Sequence, residues 1–371
     1  MSRGEMLGLD KRKGSGDILL LFSVILLSFL GLIFVYSASK YNSQVTYGNS
    51  FYFAGKHLVG LLIGFVAMIV GATVDSKRYR RLGVVALTVS IGLLLLVFTP
   101  LGYENYGATR WIKIASVTVQ PSEIAKIGYV IFVASYFDKN PLRTKSFWGV
   151  LPVILAGGAI CVCVILEPNM SITVCFGLLM LLLLFCSGMK LWHFAVIILP
   201  VLLAVPLLII AEPYRLSRLS AFLNPWASPK GEGYQLLQSL YALGSGGWFG
   251  VGLFNSRQKF RFLPFSESDF ILAVIGEEIG FVGLVLFFSL ISFIVIRGIK
   301  IALKCKHFFG FMCAVGITGI FGIQSLVNAL VVTGSIPPTG LPLPLVSAGN
   351  TSLIVFLFSF GVLYNLSKEA S

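Results

Sequence analysis

The feature that most constrains this chain is a series of apolar blocks, each about as long as a helix that crosses a bilayer. An α-helix needs roughly 20 apolar residues to span the hydrocarbon core. The blocks are separated by polar, glycine-containing or proline-containing breaks, and they cover residues 18–36, 57–74, 82–99, 124–137, 150–165, 172–187, 191–210, 270–296, 307–332 and 350–364. They predict an all-α polytopic integral membrane protein with about ten transmembrane helices.

Composition excludes a soluble multidomain protein. Hydrophobic residues make up 57% of the chain and charged residues 12%, which is too little polar material to cover a water-facing surface. A β-barrel is excluded because segments such as Ile18–Tyr36 are apolar on every side and do not alternate. We expect a cytoplasmic tail at 1–17, one membrane domain at 18–366 and a second cytoplasmic tail at 367–371.

The distribution of Lys and Arg predicts the orientation. Most of the 28 basic residues fall in segments that are cytoplasmic if both termini are cytoplasmic. The main exception is a long loop, residues 212–269, which is then extracellular and lies between the seventh and eighth spans. The net charge of +13 is explained by anchoring to anionic lipid, so we expect no nucleic-acid partner.

A helix is predicted to begin at Pro121, which is pre-set for a first helical turn, with Ser122 as its cap. Glu123 and Lys126 then lie on one face of that helix, three residues apart, where opposite charges can pair. Two interpretations stay open. The pair holds a helix end, or it forms part of a functional site in the membrane.

Two turns on the outer side carry further charged residues. In the first, Arg110 stands beside Trp111, and a guanidinium outside the cytoplasmic segments suits a phosphate or carboxylate ligand. In the second, Glu167 lies between two short helices. A solvated turn residue is the expectation there, and a functional carboxylate is the alternative.

The long outer loop combines cations with aromatic residues. Its cations include Arg218, Arg257 and Lys259. A basic, aromatic-bearing groove at the outer surface favours an anionic amphiphile, whereas a solvated loop with scattered charges is the alternative. The apolar run Leu236–Leu243 is too short to span the membrane, so we expect it to lie at the interface or to re-enter.

Asp269 stands where this loop returns to the membrane. A carboxylate there can cap the helix that follows, or it can take a proton from a hydroxyl nucleophile.

Further along, the stretch Thr333–Asn350, which contains Ser347, holds four prolines and three glycines. Irregular backbone near membrane depth is tolerated when it is buried in protein or lines a wet cavity. We therefore expect this stretch to form a wall of the same site.

Several motifs occur in one order across the chain, namely GATRWI, QPSEIAK, FLNPW, GYQLLQS, GSGG, NSRQKFRFLP, SDFILAVIGEEIG and TGSIPPTGLPLPLVS. Together they resemble the SEDS (shape, elongation, division and sporulation) family of bacterial cell-wall proteins over nearly the whole chain. The NSRQKF and IGEE forms are more similar to the FtsW and SpoVE branch than to RodA. The chain departs from the family's usual His-Thr at Glu267-Ser268, and from its usual SYGGSS at residues 347–352.

The resemblance implies a peptidoglycan glycosyltransferase that polymerises lipid II at the outer face of the bacterial cytoplasmic membrane, during division or sporulation. It implies a class B penicillin-binding protein as partner, together with other division or elongation membrane proteins. The family's essential aspartate falls on Asp269, its arginine on Arg110, and its paired glutamate and lysine on Glu123 and Lys126. We therefore predict that Asp269 is the catalytic base. The predicted substrate-binding residues are Arg110, Trp111, Glu123, Lys126, Arg218, Arg257, Lys259 and Ser347.

Other functions stay open at this point. A lipid II flippase needs charges distributed through the bilayer, whereas the candidates here cluster on the outer side. A non-catalytic scaffold for division proteins would tolerate replacement of Asp269 and Arg110. We expect no required cofactor and no dedicated metal site, although a divalent cation, Mg²⁺ or Mn²⁺, can accompany a diphosphate.

Overall fold

The computed structural model describes residues 14–105, 108–114, 117–210 and 213–370. Most of the predicted tail 1–17 lies outside these ranges, as do Gly107 of the GATRWI motif and Glu212 at the start of the predicted loop. In chain order the helices are α1 (Ile18–Tyr47), α2 (Tyr52–Thr73), α3 (Ser76–Arg81), α4 (Gly83–Leu96), α5 (Pro121–Lys139), α6 (Phe147–Leu166), α7 (Met170–Cys186), α8 (Leu191–Ile210), α9 (Pro213–Leu223), α10 (Tyr234–Gly246), α11 (Ile271–Lys304), α12 (Phe308–Val332) and α13 (Asn350–Ala370). The strands are β1 (Gly102–Asn105), β2 (Ala108–Ile114) and β3 (Val117–Val119).

Each apolar block coincides with one helix, which confirms the polytopic helical membrane fold. The ten helices are α1, α2, α4, α5, α6, α7, α8, α11, α12 and α13. In the described part of the chain, six of them are long and apolar enough to cross a bilayer, namely α1, α2, α6, α11, α12 and α13. Outward faces stay apolar, as at Leu62 and Val66, which are 59% and 62% exposed on α2. Such faces suit contact with lipid rather than water.

Small residues allow the closest helix contacts. Helix α13 packs along α2. A Cβ atom added to Gly361 would collide with the backbone of Met68, and one added to Gly71 would collide with the backbone of α13. Because lipid tails are as apolar as the side chains, close backbone approach is a main source of attraction between membrane helices.

A small antiparallel sheet joins α4 to α5, and the apolar blocks do not indicate it. Its strand order is β1-β2-β3, with Ile112 opposite Gly102 on one side and Val119 on the other. The available signal is the run Thr109–Ile114, which is rich in β-branched and aromatic residues. We call the end of the bundle that carries these strands the sheet end.

The long loop is more ordered than its sequence indicates, since it contains α9 and α10. Helix α10 holds the run Leu236–Leu243 and packs against α11 and α12. The Ser239 hydroxyl donates to the carbonyl of Val332 at 2.7 Å. The apolar run therefore forms most of a helix that packs on the bundle.

Helix α11 is broken at Gly280, whose φ of 67° and ψ of −173° are not helical. The segment after α10 supplies the hydrogen bonds that the break removes. The amide of Val251 donates to the carbonyl of Glu277 at 3.0 Å, and the amide of Phe281 donates to the carbonyl of Gly247 at 2.9 Å. Only glycine adopts this backbone conformation without strain.

The contact between α2 and α13 generates a stability prediction. We expect Gly361→Ala to destabilise the protein by about 1–3 kcal/mol, because the added methyl group forces two backbones apart. The matched control is Gly92→Ala in α4, where an added Cβ meets nothing within 4 Å. Thermal unfolding in detergent measures both variants. Equal melting temperatures for the two variants would contradict the packing described here.

Candidate active site

Asp269 lies at the sheet end, two residues before α11 begins. It is partly exposed. The N-cap residue of α11 is Phe270, and no side chain caps that helix. The interpretation of Asp269 as a helix cap is therefore wrong, and its carboxyl group is available for another role.

The surroundings of Asp269 shift the pKa of its carboxyl group. Loss of hydration raises the pKa of its carboxyl group to about 6, although the charges of Arg110 and Arg218 and a hydrogen bond with Ser268 act in the opposite direction. Glu267 adds a small upward contribution. At pH 7 the carboxyl group is thus mostly ionised, while its pKa is close enough to neutrality for proton transfer.

The two arginines whose charges lower the pKa of Asp269 come from different elements. Arg110 on β2 donates from Nε to the carbonyl of Glu167 at 3.3 Å and from a terminal nitrogen to the carbonyl of Pro168 at 2.5 Å. Arg218 on α9 donates to the carbonyl of Pro338 at 3.1 Å. Each guanidinium group is thus bonded to the backbone carbonyl oxygens of a neighbouring segment.

Glu167 is buried, at 1% exposure, so the expectation of a solvated turn residue is wrong. The turn after α6 packs against β2, and both carboxyl oxygens lack a hydrogen-bond partner. Burial raises the pKa of Glu167 to about 8, with Arg110 acting in the opposite direction. At neutral pH this carboxyl group is mostly protonated, and it does not compete strongly with Asp269 for Arg110.

Helix α5 begins at Pro121 as predicted, but its N-cap residue is Gln120, and the hydroxyl of Ser122 is buried without a partner. The cap prediction is wrong because Ser122 points into the bundle. The predicted ion pair is present, with Lys126 Nζ 2.8 Å from Glu123 Oε1. Both side chains are almost fully buried.

The stretch after α12, residues 333–349, forms a wall beside Asp269, and we call it the proline loop. The Ser347 hydroxyl donates to the carbonyl of Ser268 at 2.6 Å and accepts from the amide of Leu343 at 2.8 Å. A Cβ atom on Gly340 would lie 3.2 Å from a carboxyl oxygen of Asp269. Ser347 therefore holds the backbone of the site, and glycine at 340 leaves space next to the carboxyl group.

Three predicted substrate-binding residues have other contacts in the structure. Lys259 is buried in an ion pair with Glu278 at 3.2 Å, and its Nζ also lies 3.4 Å from the Ser37 hydroxyl. Arg257 is exposed. Trp111 pairs with Tyr103 of β1, next to a β-bulge in which Arg110 is the extra residue of β2. Their roles in binding stay predictions.

The structure adds two residues that the motifs do not single out. Gln324 and Asn328 are amides on α12, buried at 0% and 1% exposure. Gln324 Oε1 accepts from Lys126 Nζ at 2.6 Å, and Asn328 Nδ2 donates to the carbonyl of Asp269 at 2.9 Å. The signal available in the sequence is the presence of two polar residues four apart inside an apolar span.

Together these groups place two guanidinium groups and one carboxyl group at the same end of the bundle, an arrangement that can bind an anion and accept a proton. Two guanidinium groups can neutralise a diphosphate, and Asp269 can receive a proton from a hydroxyl group. Within residues 14–105, 108–114, 117–210 and 213–370, no group of three or more His, Cys, Asp or Glu side chains is placed to hold a metal ion.

Comparison with known proteins identifies the family of this chain. Residues 17–371 match the FtsW/RodA/SpoVE family, described as "Cell cycle protein". The chain is 38% identical to "Stage V sporulation protein E" of Bacillus subtilis, over 96% of this chain and 98% of that protein. It is 36% identical to the "Probable peptidoglycan glycosyltransferase FtsW" of Trichlorobacter lovleyi, over 98% of this chain and 96% of that protein.

Solved structures give the same result. One, described as "Structural coordination of polymerization and crosslinking by a peptidoglycan synthase complex", matches with a TM-score of 0.80 and 26% identity, over 96% of this chain and 98% of that chain. The crystal structure of the rod shape determining protein RodA of Thermus thermophilus matches with a TM-score of 0.70 and 25% identity, over 94% and 96%. The chain belongs to the FtsW/RodA/SpoVE family of multi-pass membrane proteins.

Proposed function

We propose that this chain is a peptidoglycan glycosyltransferase that polymerises lipid II into glycan strands, with Asp269 as the general base. The observation that carries the proposal is that the Asp269 carboxyl group lies beside Gly340 of the proline loop, in which Arg218 bonds to the Pro338 carbonyl. The charges of Arg110 and Arg218 both lower the pKa of this carboxyl group. The names of the FtsW relatives support the reaction class.

The chemistry of the substrate agrees with one base at this site. Lipid II presents a sugar that is α-linked to a diphosphate, and the linkage in the product is β. A single in-line displacement gives this inversion without a covalent enzyme intermediate. The carboxylate of Asp269 would accept the proton of the attacking sugar hydroxyl as the new carbon–oxygen bond forms and the bond to diphosphate breaks.

The two arginines would stabilise the departing diphosphate. Negative charge on the leaving group increases in the transition state, so preorganised guanidinium groups lower the barrier more than they strengthen ground-state binding. Their hydrogen bonds to the carbonyls of Glu167, Pro168 and Pro338 fix their directions in advance.

A divalent cation, Mg²⁺ or Mn²⁺, would arrive with the diphosphate oxygens as its main ligands. Activity with and without a chelator tests this addition.

The proposal includes orientation and partners. With both termini in the cytoplasm, the sheet end and Asp269 face outward, where lipid II is polymerised. Arg80, Arg143 and Lys304 then lie at the cytoplasmic end, as the charge rule requires. A class B penicillin-binding protein would cross-link the strands, and the synthase complex among the matched structures supports such an assembly. Other division or elongation membrane proteins would join it.

The first test replaces the proposed base. We expect Asp269→Asn to lower the rate of polymerisation by about 10²–10⁴-fold, because the amide cannot accept the proton. The substrate is labelled lipid II in detergent, and the polymer is measured on a gel. Glu232→Gln, which changes an exposed carboxylate of the same loop, is the control.

Detergent also separates the alternatives, because a flippase has no bilayer to work across and a scaffold forms no bond. If folded Asp269→Asn protein made polymer at the wild-type rate, the base assignment would be wrong. If folded wild-type protein made no polymer with its partner present, the proposed reaction itself would be wrong.

The second test removes one guanidinium group. We expect Arg218→Gln to lower kcat/KM by about 10²–10³-fold, because a charge that stabilises the leaving group is lost. Arg218 also lowers the pKa of Asp269 from the value that burial alone would set. The acid limb of the rate profile should therefore move to higher pH. Lys230→Gln, an exposed cation of the same loop, is the control. An unchanged acid limb would show that Arg218 does not act on the base.

A further inference from the structure

Two amide side chains on α12 lie between the proposed base and the buried ion pair. Gln324 and Asn328 are four residues apart, so they share one face of the helix. Both are fully buried, and each bonds to two different elements of the structure. A buried amide whose bonds all leave its own helix fixes the relative position of the elements that it joins.

Asn328 uses both hydrogens of its side-chain nitrogen. Nδ2 donates to the carbonyl of Asp269 at 2.9 Å and to the carbonyl of Leu341 at 2.7 Å. These carbonyls can only accept, so the site requires a double donor at this point. The bond to Asp269 fixes the backbone from which the proposed base extends.

Gln324 makes the corresponding contacts one turn away. Its Oε1 accepts from Lys126 Nζ at 2.6 Å, and its Nε2 donates to the carbonyl of Pro342 at 2.9 Å. The ammonium group can only donate and the carbonyl can only accept, so the direction of the amide is determined. Glu123 completes the position of Lys126 from the other side.

The two amides therefore hold successive carbonyls of the proline loop. Leu341 and Pro342 are bonded by α12, and Pro338 is bonded by Arg218. Gly340, between these points, lies next to the carboxyl group of Asp269. The same set of bonds thus fixes the positions of Asp269, Arg218 and Lys126 relative to one another.

We propose that Gln324 and Asn328 are positioning residues that set the place of the Asp269 carboxyl group relative to Arg110, Arg218 and Lys126. The proposal rests on the proposed function, in which Asp269 is the base. The amides act through the groups that they hold. Displacement of a reacting group by about 1 Å is enough to lower a rate by about 10²-fold.

The test uses Asn328→Leu and Gln324→Met, which keep the size of each side chain and remove its hydrogen bonds. We expect kcat for lipid II polymerisation to fall by about 10²-fold with little change in KM. We also expect the acid limb to move to higher pH, because a displaced carboxyl group loses contact with the cations that lower its pKa. The control is Ser325→Ala, since the buried Ser325 hydroxyl bonds only to the carbonyl of Phe321 in its own helix.

A purely structural role predicts a different result. It lowers the melting temperature or the yield but leaves kcat per folded molecule and the acid limb at wild-type values, and that result would overturn the proposal. Asn328→Asp and Gln324→Glu serve as second variants of the same shape, and folded protein with a reduced kcat supports the proposal. If none of the four variants folds, the amides serve folding alone and the proposal is wrong.

Asp269→Asn is measured in parallel to separate the two proposals. If Asp269→Asn is inactive while folded Asn328→Leu and Gln324→Met retain wild-type kinetics, the positioning role is wrong and the base assignment stands. If Asp269→Asn retains the wild-type rate, the base assignment is wrong, and the positioning proposal is overturned with it.

Discussion

The site depends on keeping one poorly hydrated carboxylate charged at neutral pH. Removing water from Asp269 favours its protonated form, and the positive charges of Arg110 and Arg218 oppose that effect. The balance gives the carboxyl group a pKa of about 6, which suits the proposed role of general base, since a base must be ionised before reaction and must then hold a proton. Without the arginines the carboxyl group would be neutral more often and would be a poorer acceptor.

Several separate elements at the sheet end contribute to this balance of effects on the pKa of Asp269. One arginine comes from a strand between α4 and α5, and the other comes from a helix of the long loop, about a hundred residues later. The backbone around Asp269 is irregular, and at the edge of a membrane its polar groups need partners within the protein. Ser347, Asn328 and Arg218 provide several of them. In the proposed mechanism, the same bonds that satisfy the backbone also fix the positions of the reacting groups.

The sequence predicts the spans well and the site only in part. Long apolar blocks are a direct consequence of bilayer thickness, and Pro121 marks a helix start by its own geometry. The burial of a single charged residue cannot be predicted in this way, because it depends on which elements pack together in the fold. Glu167 is predicted as a solvated turn residue and Lys259 as part of a basic groove that binds substrate. Both are buried in the structure, Glu167 beside Arg110 of β2 and Lys259 in an ion pair with Glu278. The role of Asn328 is likewise visible only when the segment before α11 is in place.

One departure from the family motifs, Glu267, can be interpreted from its surroundings in the structure. Glu267, where the family usually has histidine, is buried, accepts a hydrogen bond from Asn42 at 3.3 Å and adds a small upward contribution to the pKa of Asp269. Its own pKa is raised by burial, so it adds less negative charge near the base than a solvated glutamate would. The chain thus tolerates a second carboxyl group two residues from the base.

The pH dependence of single-turnover lipid II polymerisation by the wild-type protein tests the central claim most directly. If Asp269 is the base, the rate should fall with a one-proton slope as the pH drops through about 6, because protonation removes the acceptor. A rate that stays constant between about pH 5 and pH 8, in protein that remains folded, would contradict the assignment.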